Sequence, residues 1–419
     1  MKKPDKNVLV IGGGIAGLSV ALDLARLNIA VELVEKTSFF GGHAIQMSCK
    51  ATESCVRCGV CMVEETLRNV LQNPKIKVLP DTRVEEIMRS DRYTVKLNQK
   101  PIYIDPKKCT GCGMCFDRCP GDGAIVQGQT IPPVAGYKGP HYVIRKDRCL
   151  YFKDRACALC REVCPEKAIE LDREGLKFSR EIDAIIVATG FQPFNPEDKP
   201  YGYKKFENVI TSLDLERMLR YEGNVKRPSD DKAPKSIAFI QCVGSRDAKL
   251  NHLWCSKVCC ASALRMARLM RAKQPETLIT FFYIDVQTFG KDFHEFYENV
   301  QKEVRMIRAI PGDIFRTVDD RLKVTFFDSQ RHESLEEVFD LVVLSIGILP
   351  GNDTRGLAKM LHVELADSGF IGAFDQTATA SMKGIFAAGT AVGPMSIAET
   401  IASAGNTAWQ AARYLEQQF

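Results

Sequence analysis

No apolar run in the 419-residue chain reaches the roughly 18 residues that a membrane-spanning helix needs. Nothing in the opening residues reads as a leader either. "MKKPDK" passes straight into "NVLVIGGG", and so short an apolar segment running into a glycine turn is a strand, not a signal peptide. Nor is there an excess of one charge: the formal net charge is +5, with both signs interleaved. Composition therefore demands neither nucleic acid nor an anionic membrane. Basic pairs such as Lys107–Lys108 read as solvated surface. These absences lead us to expect a cytoplasmic protein, not inserted in a membrane but able to dock on a membrane complex. Hydrophobic content of 45% and charged content of 26% are ordinary for a globular chain, and the length suffices for two or three domains.

Cysteine, by contrast, is abundant. Sixteen cysteines in a reducing compartment are poor candidates for disulfides. They fall into four groups of four: Cys49, Cys55, Cys58 and Cys61; Cys109, Cys112, Cys115 and Cys119; Cys149, Cys157, Cys160 and Cys164; Cys242, Cys255, Cys259 and Cys260. None is left over, which suggests metal sites.

"NVLVIGGGIAGLSVALDLARLNIAVELVEK" reads as strand, glycine turn, amphipathic helix and second strand. Gly12, Gly14 and Gly17 match G-x-G-x-x-G, and Glu35 ends the second strand. Tight turning, close backbone approach to a pyrophosphate and an acid on the ribose make this a dinucleotide half-site, for FAD or NAD. "EIDAIIVATGFQP" and "DLVVLSIGILP" are buried strands ending near Gly190 and Gly347, and "MKGIFAAGTAVG…" gives a strand, a turn at Gly389 and a long helix. This order resembles the two-dinucleotide-domain flavoproteins related to thioredoxin reductase. That resemblance implies FAD, held by Gly12, Gly14, Ile15, Ala16, Gly17, Glu35, Lys36, Gly42, Thr189, Gly190, Gly389 and Thr390. The family usually has an Asp on the ribityl chain where this chain has Thr390.

Residues 101–172 interrupt the flavoprotein pattern. "CTGCGMCFDRCP" is C-x2-C-x2-C-x3-C-P, and "CLYFKDRACALCREVCP" is C-x7-C-x2-C-x3-C-P. In two-cluster ferredoxins the fourth cysteine crosses to the other cubane. Cys109, Cys112, Cys115 and Cys164 thus form one [4Fe–4S] set, and Cys149, Cys157, Cys160 and Cys119 the other. A zinc ribbon needs two separated C-x2-C knuckles and fits poorly. The x7 gap is expected to be a loop. A third set is Cys49-x5-Cys55-x2-Cys58-x2-Cys61, whose neighbour His43 reads as a hydrogen-bonding loop residue.

A second nucleotide domain should open at "PKSIAFIQCVGSRDAK", after the polar linker "EGNVKRPSDDKA", yet no second G-x-G-x-x-G follows. Instead come Cys242-x12-Cys255-x3-Cys259-Cys260. Cys255, Cys259 and Cys260 are expected to begin the helix "CSKVCCASALRMARLMR", with 255 and 259 one turn apart. With "YIDVQTFGK", "NVITSLDLERML" and "GIFAAGT", this spacing resembles the A subunit of heterodisulfide reductase along essentially the whole chain. The resemblance is closer still, through "RPSDDKAPKSIAFIQCVGSRD" as well, to the shorter A subunits of quinone-interacting oxidoreductases and class II benzoyl-CoA reductase complexes. The larger methanogen protein's C-terminal ferredoxin domain has no counterpart here.

The resemblance implies an α/β fold of the thioredoxin reductase type carrying one FAD and four [4Fe–4S] clusters. It implies an electron hub that works only inside a complex, with partners of the heterodisulfide reductase B and C or quinone-interacting oxidoreductase B and C type, or of benzoyl-CoA reductase complexes. Ferredoxin is a candidate exchange partner, and a homodimer within the complex is compatible. Five residues after the cysteine pair the family commonly carries a Lys near the flavin N5, tied to electron bifurcation. Here Arg265 stands there, permanently charged and unable to donate a proton, though able to stabilise an anionic flavin. Bifurcation and simple relay both stay open, and a stand-alone NAD(P)H reductase and a scaffold with structural clusters are the rivals. The expected domains are 1–100, 173–205 and 340–419 (FAD, with a cluster loop at 43–62), 101–172 (ferredoxin) and 206–339 (second nucleotide-type domain).

Overall fold

A computed structural model describes residues 6–128, 142–287, 292–329, 331–372 and 383–418. Two sheets of the same design organise it. The first has spatial order 385–387, 184–187, 7–11, 30–34, 76–79, all parallel. Its strands are apolar runs such as Leu9, Val10, Ala184 and Ile185, fully buried on both faces as a helix-covered parallel sheet requires. The glycine-turn helix Ile15–Arg26 and the terminal helix Ile397–Gln418 pack against each other on one face. The second sheet has order 209–211, 341–346, 236–243, 278–282, 305–307, again parallel.

Each sheet is accompanied by a three-stranded antiparallel meander, 82–89/93–99/176–182 for the first and 314–316/322–328/333–339 for the second. Phe191–Pro193 pairs antiparallel with Ile348–Pro350, so the two chain crossings between the domains form a ribbon.

One domain boundary differs from expectation. Leu341–Ile346, assigned from sequence to the FAD domain, is instead a central strand of the second sheet, paired with 209–211 and 236–243. The FAD domain resumes only after the ribbon. A run of buried β-branched residues fixes that a strand is interior, not which of two like sheets receives it.

The ferredoxin module hangs from the first meander. Strand 93–99 pairs with 176–182 from Tyr93↔Ile182 to Gln99↔Leu176, so the chain leaves and re-enters at adjacent backbone positions. Inside it, Ile125–Gln127 pairs with Tyr142–Ile144, and Ile104 bridges Ile169. The x7 gap is not a loop: Leu150–Asp154 is a short helix, ended by Arg155 at φ 61°. Among the described residues no helix is long and apolar enough to cross a membrane. Of "YIDVQTFGK", residues 288–291 lie outside the described residues.

Candidate flavin and iron–sulfur site

The glycine turn behaves as its residue types demand. A Cβ on Gly12, at φ +113°, would sit 2.3 Å from the Ala188 carbonyl oxygen, and one on Gly17 would sit 1.9 Å from that of Gly12. These two glycines bring strand, turn and helix together. Gly14 is different. An added Cβ there meets nothing of the protein nearer than the Gly42 Cα at 4.0 Å. Gly14 is also the N-cap of Ile15–Arg26, with no side-chain cap and no acid in the first turn. Among the described residues no side chain caps the helix's first amides, which border the cavity, the arrangement that takes a pyrophosphate.

That cavity, about 1150 Å³, is lined by Gly12, Gly14, Ile15, Ala16, Glu35, Lys36, Gly42, Thr189, Gly190 and Thr390 among others. Gly17 and Gly389 act from behind: a Cβ on Gly389 would meet the Ala16 Cβ at 2.7 Å. The Glu35 carboxylate accepts from the Gly13 amide at 2.8 Å and from the Thr37 amide and hydroxyl at 2.9 Å each, which fixes its direction for a ribose. Lys36 pairs with Asp353. Among the described residues the buried Thr189 hydroxyl has no partner, as a group held for a ligand would be. His43 bonds the Phe191 carbonyl at 3.2 Å and lies against its ring; burial, the largest influence, lowers its pKa.

These features fit FAD. Gly14→Val should leave the fold intact, because no protein atom is displaced, and cut FAD affinity at least about a hundredfold. Thermal unfolding and flavin occupancy check the two halves separately. Full occupancy in the variant would refute the assignment.

All sixteen cysteines lie among the described residues and none is in a disulfide. Burial first, then Cys109, Cys112 and Cys164, push the Cys115 thiol up to about 11. Burial, then Cys149, Cys115 and Cys119, do the same to Cys160. A small cavity is lined by Cys119, Cys149, Cys157 and Cys160. Cys115 aside, the thiols that act on Cys160 or share its cavity are those of one crossed set, and those that act on Cys115 are those of the other.

At the second sheet, Cys242 lies in the left-handed region (φ 60°) where the pairing with 341–346 shifts register between Ile240 and Val243. Burial, then Cys260 and Cys255, push its thiol up to about 11. Burial and the three other cysteines raise Cys259 much further. The group is together, but not as expected. The helix is Cys259–Lys273, and Cys255 lies in the loop before it. Ser256 there accepts from the Ile348 amide at 2.8 Å, and Trp254 donates to the Ile348 carbonyl at 3.0 Å. These bonds hold 254–258 against the end of the neighbouring strand and delay the helix start. At the turn where a nicotinamide fingerprint would lie, a Cβ on Gly244 would run into the Phe194 ring.

Cys49, Cys55 and Cys61 are exposed, and Cys58 lines the flavin cavity. Among the described residues no three or more His, Cys, Asp or Glu are placed to hold a single metal ion. In a cubane each thiolate binds a different iron, so its ligands surround a volume and do not converge on a point.

Other walls of the cavity hold Arg265, expected near the flavin from the sequence, together with residues that sequence reasoning missed. Val258, Ala261, Ser262 and Arg265 line the cavity from one face of the cysteine helix. Val126 and Gln127 reach it from the ferredoxin hairpin. Lys50, only 3% exposed, pairs with Glu216 at 2.5 Å. That carboxylate also accepts from the Ser48 amide and hydroxyl at 3.0 Å and from Ser262 at 3.3 Å. On the helix that carries Glu216, Ser212–Tyr221, Arg217 bonds Gln46, and Arg220 bonds the Met47 carbonyl. Lys50 lies among ligand candidates in sequence, but its partner is 166 positions away.

An FAD-dependent oxidoreductase family model matches residues 7–51, and a 4Fe–4S binding domain model matches 102–123. The fold is similar to thioredoxin reductase of Lactococcus lactis, at TM-score 0.54 and 14% identity, over 98% of this chain and 99% of that one. In sequence the chain is 34% identical to the A subunit of the H(2):CoB-CoM heterodisulfide,ferredoxin reductase of Methanothermobacter marburgensis, over 97% of this chain. It is 36% identical to form 2 of the CoB–CoM heterodisulfide reductase iron-sulfur A subunit from Methanopyrus kandleri, over 98%. The chain spans 64% of the length of each of these two relatives. Over the part it shares with them, the chain is similar to the A subunits of heterodisulfide reductase.

Proposed function

We propose that this chain is an FAD and iron–sulfur electron-transfer subunit of a larger oxidoreductase complex. One observation carries the reading. A single cavity is walled by the glycine turn, by Cys58, by the cysteine helix and by the hairpin of the ferredoxin module, so elements of three cysteine-rich segments border one flavin site. A flavin supplies interconversion between paired and single electrons, and clusters carry electrons singly. The chain's own residues bind and orient: Gly12, Gly14 and Glu35 at the nucleotide end, Thr189 and Thr390 along the chain, Arg265 as a fixed charge at the far wall. Its partners are catalytic subunits of the heterodisulfide reductase, quinone-interacting or benzoyl-CoA reductase kind, with ferredoxin as a low-potential partner, in the cytoplasm or docked to a membrane complex. Bifurcation through a site with Arg265 is the finer form of the proposal.

Anaerobic purification should yield one FAD and about sixteen irons per chain, from four cubanes of four irons each. About eight irons would remove two of the proposed sites. Steady-state NADH oxidation by the isolated chain should be absent, because the loop 244–258 stands where a nicotinamide fingerprint would. Brisk turnover would favour the stand-alone reductase instead.

A further inference from the structure

Three cavity-wall cations are each neutralised by a carboxylate: Lys36 by Asp353, Lys50 by Glu216 and Arg57 by Asp292. Arg265 is not. Among the described residues its half-buried guanidinium has no carboxylate within ion-pair range; its Nε donates to the Val56 carbonyl at 3.2 Å. It lies over the rings of Phe293 and Phe296, at 5.6 and 5.7 Å. Burial lowers its pKa, and the one charge acting the other way is Cys58. The same loop is tied again to that corner by Arg57–Asp292 at 2.5 Å, next to Phe293. Both Arg265 and Cys58 line the flavin cavity.

A buried cation without a carboxylate is costly unless an anion completes it. Two are provided for: the thiolate set at 49–61 and a reduced flavin. We propose that Arg265 is shared between them, so that reduction of the Cys49–Cys61 cluster and reduction of the flavin are electrostatically coupled through one guanidinium. The inference rests on the reading of 49–61 as a cluster site, and it goes beyond that reading by assigning Arg265 a role between two redox groups. Each reduction adds negative charge, and each is favoured by the same positive charge. The contact with two phenyl faces and the bond to Val56 keep that charge from turning wholly toward either.

The test is a redox titration of the purified, FAD- and iron-loaded chain, following flavin absorbance and cluster EPR. Iron counting comes first, and Cys58→Ala identifies which EPR signal belongs to the 49–61 set. If wild type shows no such cluster, the reading beneath the inference fails, independently of Arg265. Given the cluster, Arg265→Met should lower the reduced-to-oxidised ratio of both groups at least about tenfold at the wild-type midpoints. That corresponds to about 30 mV for a two-electron couple and about 59 mV for a one-electron couple. Arg265→Lys, which keeps the charge, should recover most of the flavin shift. The effect of Arg265→Met on the flavin should be larger in a Cys58→Ala background, where the guanidinium has one anion to serve instead of two. An unmoved cluster potential, or strictly additive effects in the double variant, would overturn the sharing.

Discussion

Lys50→Met is expected to destabilise the protein by about 3–5 kcal/mol, the cost of leaving a buried charge without its partner. Both side chains are 3% exposed, so water cannot solvate the abandoned Glu216 carboxylate. The five donor contacts that converge on it, two of them from Lys50, would be reduced to Ser48 and Ser262. Urea denaturation of the flavin-free chain measures the loss. Replacing both partners, Lys50→Met with Glu216→Leu, should recover most of it, since a well-packed apolar pair often equals a buried ion pair. A loss below about 1 kcal/mol for the single variant would mean that the pair is not closed off in solution. The pair also joins the cysteine loop to the second domain's helix Ser212–Tyr221, so the single variant should lose iron from the 49–61 set first.

Cys255→Ala is the second variant with a large expected effect. It should remove about four irons, one cubane, while the ferredoxin pair and FAD stay. Cys255 is the cleanest of its group to replace: it lies in a half-buried loop, whereas Cys259 and Cys260 are buried in the helix and would also leave a hole. Flavin reduction and cluster reduction should then separate in time in a stopped-flow trace. If the four are core thiols of a vestigial nucleotide domain, iron content will not change and only packing stability will fall. Iron analysis with EPR of the reduced variant decides between these, and an unaltered cluster count would remove the main support for a cofactor at the second sheet.

What is legible in the sequence depends on how local each signal is. The glycine turn is local: Gly12 and Gly17 must be glycine because backbone oxygens stand at the Cβ positions, and the spacing declares it. The ferredoxin sets are legible as motifs, and the analogy with two-cluster ferredoxins leads us to expect Cys164 with the first triplet and Cys119 with the second. The start of the cysteine helix is not. "CSKVCC" has no breaker, yet Lys257 at φ 59° and the bonds that Ser256 accepts from the Ile348 amide and Trp254 donates to its carbonyl hold the first residues out of the helix. Leu341–Ile346 reads as a buried strand, but nothing in it chooses between two sheets that want the same apolar run. Arg265 is picked out by its position after the cysteine pair, but its lack of a carboxylate partner among the described residues is not, and Lys50 becomes intelligible only with its surroundings. A lysine beside a cysteine says nothing until Glu216 arrives from another domain.

The ferredoxin module leaves the scaffold at Gln99 and returns at Leu176, positions already paired across two strands. Seen from the scaffold it is only the tip of a hairpin. Lengthening or shortening a hairpin tip alters closure entropy as a logarithm of length, and so barely taxes the strands beneath. The attachment is therefore a socket. A lineage could exchange one iron–sulfur cartridge for another, or shed it for a two-residue turn, without rewriting the flavoprotein below. The place where such an exchange would be felt is where Val126 and Gln127 close the flavin cavity. Selection on this module should accordingly be divided, with its attachment ends free to drift and its inner hairpin held to the shape of the cofactor it covers.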